Sequence, residues 1–187
     1  MTRSLKLKSL LVLPLVFSTS VFADTLKLSS SDITEGEFMS KTQEFNGFGC
    51  SGDDLSPSLT WTGAPKGTKS FAITVYDPDA PTGSGWWHWQ VINIPSSVKK
   101  LEAGAGSLDK KLMPKGSMQM RNDYGNHSFG GACPPEGHGA HRYSFTIHAL
   151  SVEKLDLAKD ASGALTGYMI NANTIESSTI ESLYKRN

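Results

Sequence analysis

Apolar residues in this chain recur at every second position over most of its length, which is the period of a half-buried strand rather than of a helix. Leu26 and Leu28 open this pattern before Ser29, Ser30 and Ser31, and Leu59 and Trp61 continue it between Ser58, Thr60 and Thr62. Phe71, Ile73 and Val75 carry it through Ser70 to Tyr76. Trp86 to Pro95, Met118 with Met120, and Arg142 to Leu150 resume it. Phe38 to Phe45 reads as a further, partly polar strand. The Gly-, Ser- and Lys-rich stretch from Ser96 to Gly116 reads as surface connection. Only after Leu155 does the period change. Ser162 is a suitable N-cap for a helix of about three turns whose apolar positions are Ala164, Leu165, Tyr168, Met169 and Ala172. Val152 to Leu157 admits one more helical turn. Thr174 to Tyr184 fits a closing strand better than a continued helix. The sum is a mainly β domain with one or two peripheral helices and no internal repeat.

The first 23 residues stand outside that pattern. Arg3, Lys6 and Lys8 precede an apolar run from Leu10 to Phe17, and Val21, Phe22 and Ala23 then suit a cleavage point. The run is too short for a permanent membrane span, so 1–23 is expected to be a cleaved signal peptide and 24–187 a single domain exported to the periplasm. Cleavage removes three positive charges from a balance of 18 basic against 18 acidic residues and leaves a net charge of −3. That balance, with no basic run, argues against nucleic acid as a partner, and no second apolar segment offers stable membrane insertion. Two cysteines in an exported chain most often pair, so Cys50 and Cys133 are expected to form a disulfide; a reactive thiol at Cys133 and a metal-binding pair are the alternatives, and no CxxC spacing supports the metal.

Two stretches concentrate chemistry. In the first, Asp77, Pro78, Asp79, Ala80 and Pro81 follow a strand, and His88 stands among Trp86, Trp87 and Trp89 on the next. Two prolines stiffen the loop and hold its carboxylates in place. Asp79 fits either a pocket carboxylate or a cap on loop amides. In the second, Gly130 and Gly131 lead through Cys133, Pro134 and Pro135 to His138, His141, Arg142 and Tyr143. His141 and Tyr143, two apart at the start of a strand, project from one face. Convergence of the two stretches would gather imidazoles, a phenol and glycine amides into a hollow suited to a phosphate, carboxylate or similar oxyanion. Asp77 would then orient an imidazole and favour its protonated form, so acidification is expected to strengthen anion binding. The spacing of His138 and His141 also admits a metal, though no third clustered ligand follows. Asp77 with His88 or His141 could serve as an acid/base pair with Ser84 or Ser128 as nucleophile, but no GxSxG elbow is present.

These motifs together resemble the paired signature motifs of the phosphatidylethanolamine-binding, or Raf kinase inhibitor-like, proteins, and in particular their bacterial YbhB/YbcL branch. The segments Asn46 to Trp61, Lys69 to Pro95 and Arg121 to Leu150 all fit. The resemblance implies a two-sheet β-fold with a small anion pocket near the surface, formed here by Asp77, His88, Gly131, Pro134, His141 and Tyr143. It implies a phosphate or phospholipid head-group-like ligand, a protein partner as a further option through the surface loops, no cofactor and no enzymatic role. It also implies a cis peptide between Ala80 and Pro81. Cys133 departs from the small residue many relatives carry there, and with Cys50 it suggests a disulfide added for an exported setting.

Overall fold

In a computed structural model of the chain, the structure describes residues 25–186; the expected signal peptide and its cleavage point lie outside the described residues. The strands in chain order are β1 (Lys27–Ser29), β2 (Asn46–Gly47), β3 (Cys50–Ser51), β4 (Leu59–Thr62), β5 (Ser70–Asp77), β6 (Trp86–Pro95), β7 (Lys100–Leu101), β8 (Met118–Gln119), β9 (His141–Leu150) and β10 (Thr174–Tyr184), with one α-helix, α1 (Gly163–Asn173), before the last. An antiparallel five-stranded sheet runs β10-β9-β5-β6-β8, a three-stranded sheet runs β1-β4-β7, and β2 with β3 form a separate hairpin. The expectation of a mainly β, two-sheet fold therefore holds.

The two sheets share one core. Leu28, Leu59, Trp61 and Leu101 from the small sheet meet Phe71, Ile73, Val75, Trp89, Val91, Phe145 and Ile147 from the large one. Trp61 and Phe71 meet edge to face with ring centroids 5.4 Å apart. Each such side chain contributes about 1.5–3 kcal/mol by leaving water, which pins the register, because a one-residue slip would turn the whole set outward. The outer face of the large sheet carries a smaller cluster of Ala72, Ile92, Met120, Leu150, Leu155 and Ile170 under α1.

Two irregularities in the β5–β6 pairing decide which side chains face which layer. Phe71 pairs with Ile94 and Ile73 with Val91, so β6 carries an extra residue there, and Asn93 sits at φ 59°. The Asn93 side chain bonds the Leu155 amide at 2.7 Å and its carbonyl at 3.2 Å. That pair of contacts holds Val152 to Leu157 as irregular chain, not as the extra helical turn. Further along, Val75 pairs with Trp89 and Tyr76 with Trp87, which leaves His88 as the extra residue of a second bulge. A bulge lets consecutive residues share a face. Trp89 and His88 thus both turn inward, while Trp87 turns outward onto Tyr76, 4.4 Å between ring centroids.

Three other expectations change. The segment Phe38 to Phe45 is not a strand: Phe38 makes a lone bridge to Leu183, and Ser40 caps a 3₁₀ turn at Lys41–Gln43. The stretch from Ser96 to Gly116 is not all surface, because β7 pairs with β4 and buries Leu101 and Ala105. Ser162 caps α1 as expected, its hydroxyl accepting from the Leu165 amide at 3.2 Å, but the buried face is Gly163, Thr166, Gly167 and Ile170, whereas Leu165 and Tyr168 are exposed. The cause is Trp87: a Cβ at Gly163 would lie 2.3 Å from its ring, so small residues must line the contact.

Candidate functional site

The loop after β5 and the strand start of β9 are locked together by carboxylates. Asp77 is almost fully buried; one of its oxygens accepts from the Asp79 amide and the other from His141 Nδ1, each at 2.8 Å. Asp79 faces away toward Arg142, accepting from its backbone amide at 2.9 Å, from Nε at 2.9 Å and from Nη2 at 2.8 Å. The Arg142 hydrogen bonds outweigh partial burial and hold the Asp79 carboxyl down at about 2. Asp79 is thus a clamp, and Asp77 orients an imidazole. The Ala80–Pro81 peptide is trans, contrary to the cis bond implied by the resemblance; the clamp fixes the loop's course without it.

Asp77, His88, Pro134, His141 and Tyr143 converge on one pocket of about 180 Å³, walled also by Phe48, Ala80, Pro81, Thr82, Trp86, Tyr124, Cys133 and Pro135. Asp77, His88, His141 and Tyr143 are each between 1% and 3% exposed. His88 Nδ1 lies 2.8 Å from the Gly130 carbonyl oxygen and 3.1 Å from that of Gly131. Both partners can only accept, so Nδ1 carries the proton and Nε2 the lone pair. Nε2 is buried with no partner among the described residues, and so is the hydroxyl of Tyr143. The two rings meet edge to face at 5.1 Å. Burial pushes the His88 imidazole below its ordinary range, against the opposing pull of the two carbonyls and Asp77, so the expected protonated ring is the disfavoured form here. Burial likewise pushes the phenols of Tyr124 and Tyr143 upward and keeps them protonated.

His141 is engaged at both nitrogens. Nδ1 donates to Asp77, and Nε2 lies 2.8 Å from Nδ1 of exposed His138. One proton between the two rings satisfies that contact, a hydrogen bond rather than a shared metal; among the described residues no group of three potential metal ligands occurs.

Gly131 does not line the pocket. Its amide donates to Asp54 at 2.6 Å, and its carbonyl accepts from His88 and from the Tyr124 hydroxyl at 3.0 Å. A Cβ there would lie 2.4 Å from the Gln43 carbonyl oxygen, so glycine is required by the crossing of two backbone segments behind the wall. Cys50 and Cys133 are bonded, with Cα atoms 6.0 Å apart, and this staple ties the β2–β3 hairpin, which carries Phe48 at its tip, to the proline wall. Ser84 and Ser128 do not line the pocket.

Tyr124 escaped the sequence reading. It stacks on Phe45 with centroids 4.0 Å apart, and it meets Trp86 at 5.2 Å and His88 at 5.6 Å. Its one signal was a bulky aromatic inside an Asn-Asp-Tyr-Gly turn, where a merely connecting loop has no use for it.

A family model described as "Phosphatidylethanolamine-binding protein" matches residues 29–185. The UPF0098 protein YbcL of Escherichia coli K12 is 52% identical over 166 residues, covering 89% of this chain and 91% of that protein. The UPF0098 protein YbhB of the same organism is 45% identical over 159 residues, covering 85% and 99%. The crystal structure of E. coli YbcL, described as a new member of the mammalian PEBP family, superposes with a TM-score of 0.85 over 87% of this chain and 99% of that one.

Proposed function

The chain belongs to the phosphatidylethanolamine-binding protein family, and from that premise we propose that it is an exported protein whose pocket binds a small oxyanionic group, a phosphate or phosphorylated head group, without turning it over. The observation that carries this reading is a set of buried polar atoms without partners, His88 Nε2, the Tyr143 hydroxyl and Trp86 Nε1, on residues that line one small pocket. Each unmet group costs about 1–3 kcal/mol, a penalty that a ligand bearing both acceptor and donor atoms removes. The aromatic and proline walls make most of the lining apolar and leave few polar contacts for a ligand.

Binding is favoured over hydrolysis because no serine and no unbonded cysteine lines the pocket. His141, the pocket imidazole hydrogen-bonded to a carboxylate, is taken up by Asp77 and His138. Export is supported by the basic-then-apolar start of the sequence and by the disulfide, which suits an oxidising compartment.

Phosphate or phosphorylethanolamine added to the protein is expected to move the His88 and His141 resonances, and His88→Ala is expected to abolish the response. Unchanged spectra in excess ligand would refute the reading. The same variant separates a second one, in which a protein partner docks over the pocket rim on Phe48, 75% exposed there: such a partner would still be retained by His88→Ala.

A further inference from the structure

Oxyanion sites are ordinarily furnished with guanidinium, ammonium or unspent backbone amides. This pocket is not. None of the residues lining it is lysine or arginine, and one of them, Asp77, brings a carboxylate. The amide of Gly131 is already donated to Asp54, and the hydroxyl of Tyr124 to the Gly131 carbonyl. Among the buried side-chain atoms left without partners on the residues lining it are one acceptor, His88 Nε2, and two donors, the hydroxyl of Tyr143 and Trp86 Nε1.

Building on the oxyanion reading, the geometry points to a site that selects an oxyacid group still carrying a proton. A phosphomonoester monoanion fits: its P–O–H donates to His88 Nε2, and one of its unprotonated oxygens accepts from the Tyr143 hydroxyl. A fully ionised oxyanion would instead set an oxygen lone pair against the lone pair of Nε2.

The surroundings fix where that proton resides. His88 on β6 is faced by Asp77 of β5, by His141 and Tyr143 of β9, and by Asp123 and Tyr124 of the loop after β8, with Asp54 beyond Gly131. The acidic groups favour a proton in the hollow. Keeping Nδ1–H on two carbonyls while the ring is buried makes an imidazolium there costly, so the proton arrives on the ligand and stays on it. A site built around a donated hydrogen bond rejects analogues lacking the donor more strongly than it rejects a change in bulk.

The test compares methyl phosphate with sulfate and dimethyl phosphate, neither of which carries an ionisable proton near neutrality, by calorimetry on the disulfide-bonded protein. Between about pH 5 and pH 8 methyl phosphate should bind most tightly at the acid end and lose about tenfold in affinity per unit above about pH 6, where its second proton dissociates. Sulfate and dimethyl phosphate should bind at least about tenfold more weakly at the acid end. In the methyl phosphate complex the ¹⁵N resonance of His88 Nε2 should remain that of an unprotonated nitrogen. Equal binding of all three probes, or a His88 ring that becomes imidazolium in the complex, overturns the proton selection while leaving the oxyanion reading standing. Absence of binding by every probe across the range removes both.

Discussion

His88 and His148 are both buried in the large sheet, and desolvation pushes both imidazoles below their ordinary range, yet they sit in opposite chemical settings. On the face next to the C-terminal end of α1, His148 is fully satisfied. The Thr174 hydroxyl spends its proton on the Ile170 carbonyl and so accepts from His148 Nδ1 at 3.4 Å; Thr74 then donates to Nε2 at 3.1 Å. On the pocket side, His88 has one nitrogen satisfied and one bare. Burial and a depressed imidazole are therefore common to a structural histidine and a candidate binding one. The unmet hydrogen-bonding capacity is what distinguishes them.

The comparison can be broken most forcefully at the staple. Removing the disulfide with Cys50→Ala and Cys133→Ala opens a loop with a sequence separation of 83, worth about 4–5 kcal/mol on the chain-entropy model. Urea unfolding should show a loss of that order. Amide exchange should accelerate around Phe45 to Ser51 and Ala132 to Pro135 while the cluster under α1 keeps its protection.

Acid should act next, and through His148. The folded protein holds that imidazole at about 4, whereas the unfolded chain takes up its proton near 6.5. Across that window the unfolded state binds more protons, so stability falls as pH drops from 6.5 to 4 and levels off below, by about 3 kcal/mol in all. The difference between the stability–pH curves of wild type and His148→Gln isolates this contribution from the carboxylates.

The smallest effects carry the sharpest contrast, since deleting a hydroxyl should act with opposite sign in the two regions. Thr74→Val strands His148 Nε2 and should cost about 1–2 kcal/mol in denaturant melts. Tyr143→Phe removes a hydroxyl that has no partner and should leave stability unchanged or raise it by up to about 1 kcal/mol. A comparable loss from both substitutions would mean that the pocket hydroxyl is satisfied after all.

Much of this was legible in the chain. Alternation located the long strands because sheets with one wet or one layered face demand it, and the motif spacing brought Asp77, His88, Pro134, His141 and Tyr143 to one place. What stayed hidden has physical causes. Gly131 reads as a residue for close ligand approach, but two crossing backbones use the same property. The α1 face was misassigned because its contact with Trp87 is made by glycines and a threonine, and a hydrophobicity pattern assigns those residues no burial. The bulge at His88 left no mark in the Trp-Trp-His-Trp run, because an extra residue in a strand changes the pairing, not the composition.

That extra residue makes one short segment intolerant of length change. Trp86 and Trp89 are three positions apart yet project to the same layer, so losing or gaining a single codon between them would exchange inside for outside along the rest of β6. The tip of the turn just before it, at Gly83, where an added Cβ meets nothing, carries no such register constraint, and as the lineage diverges insertions should accumulate there and stop at the first tryptophan.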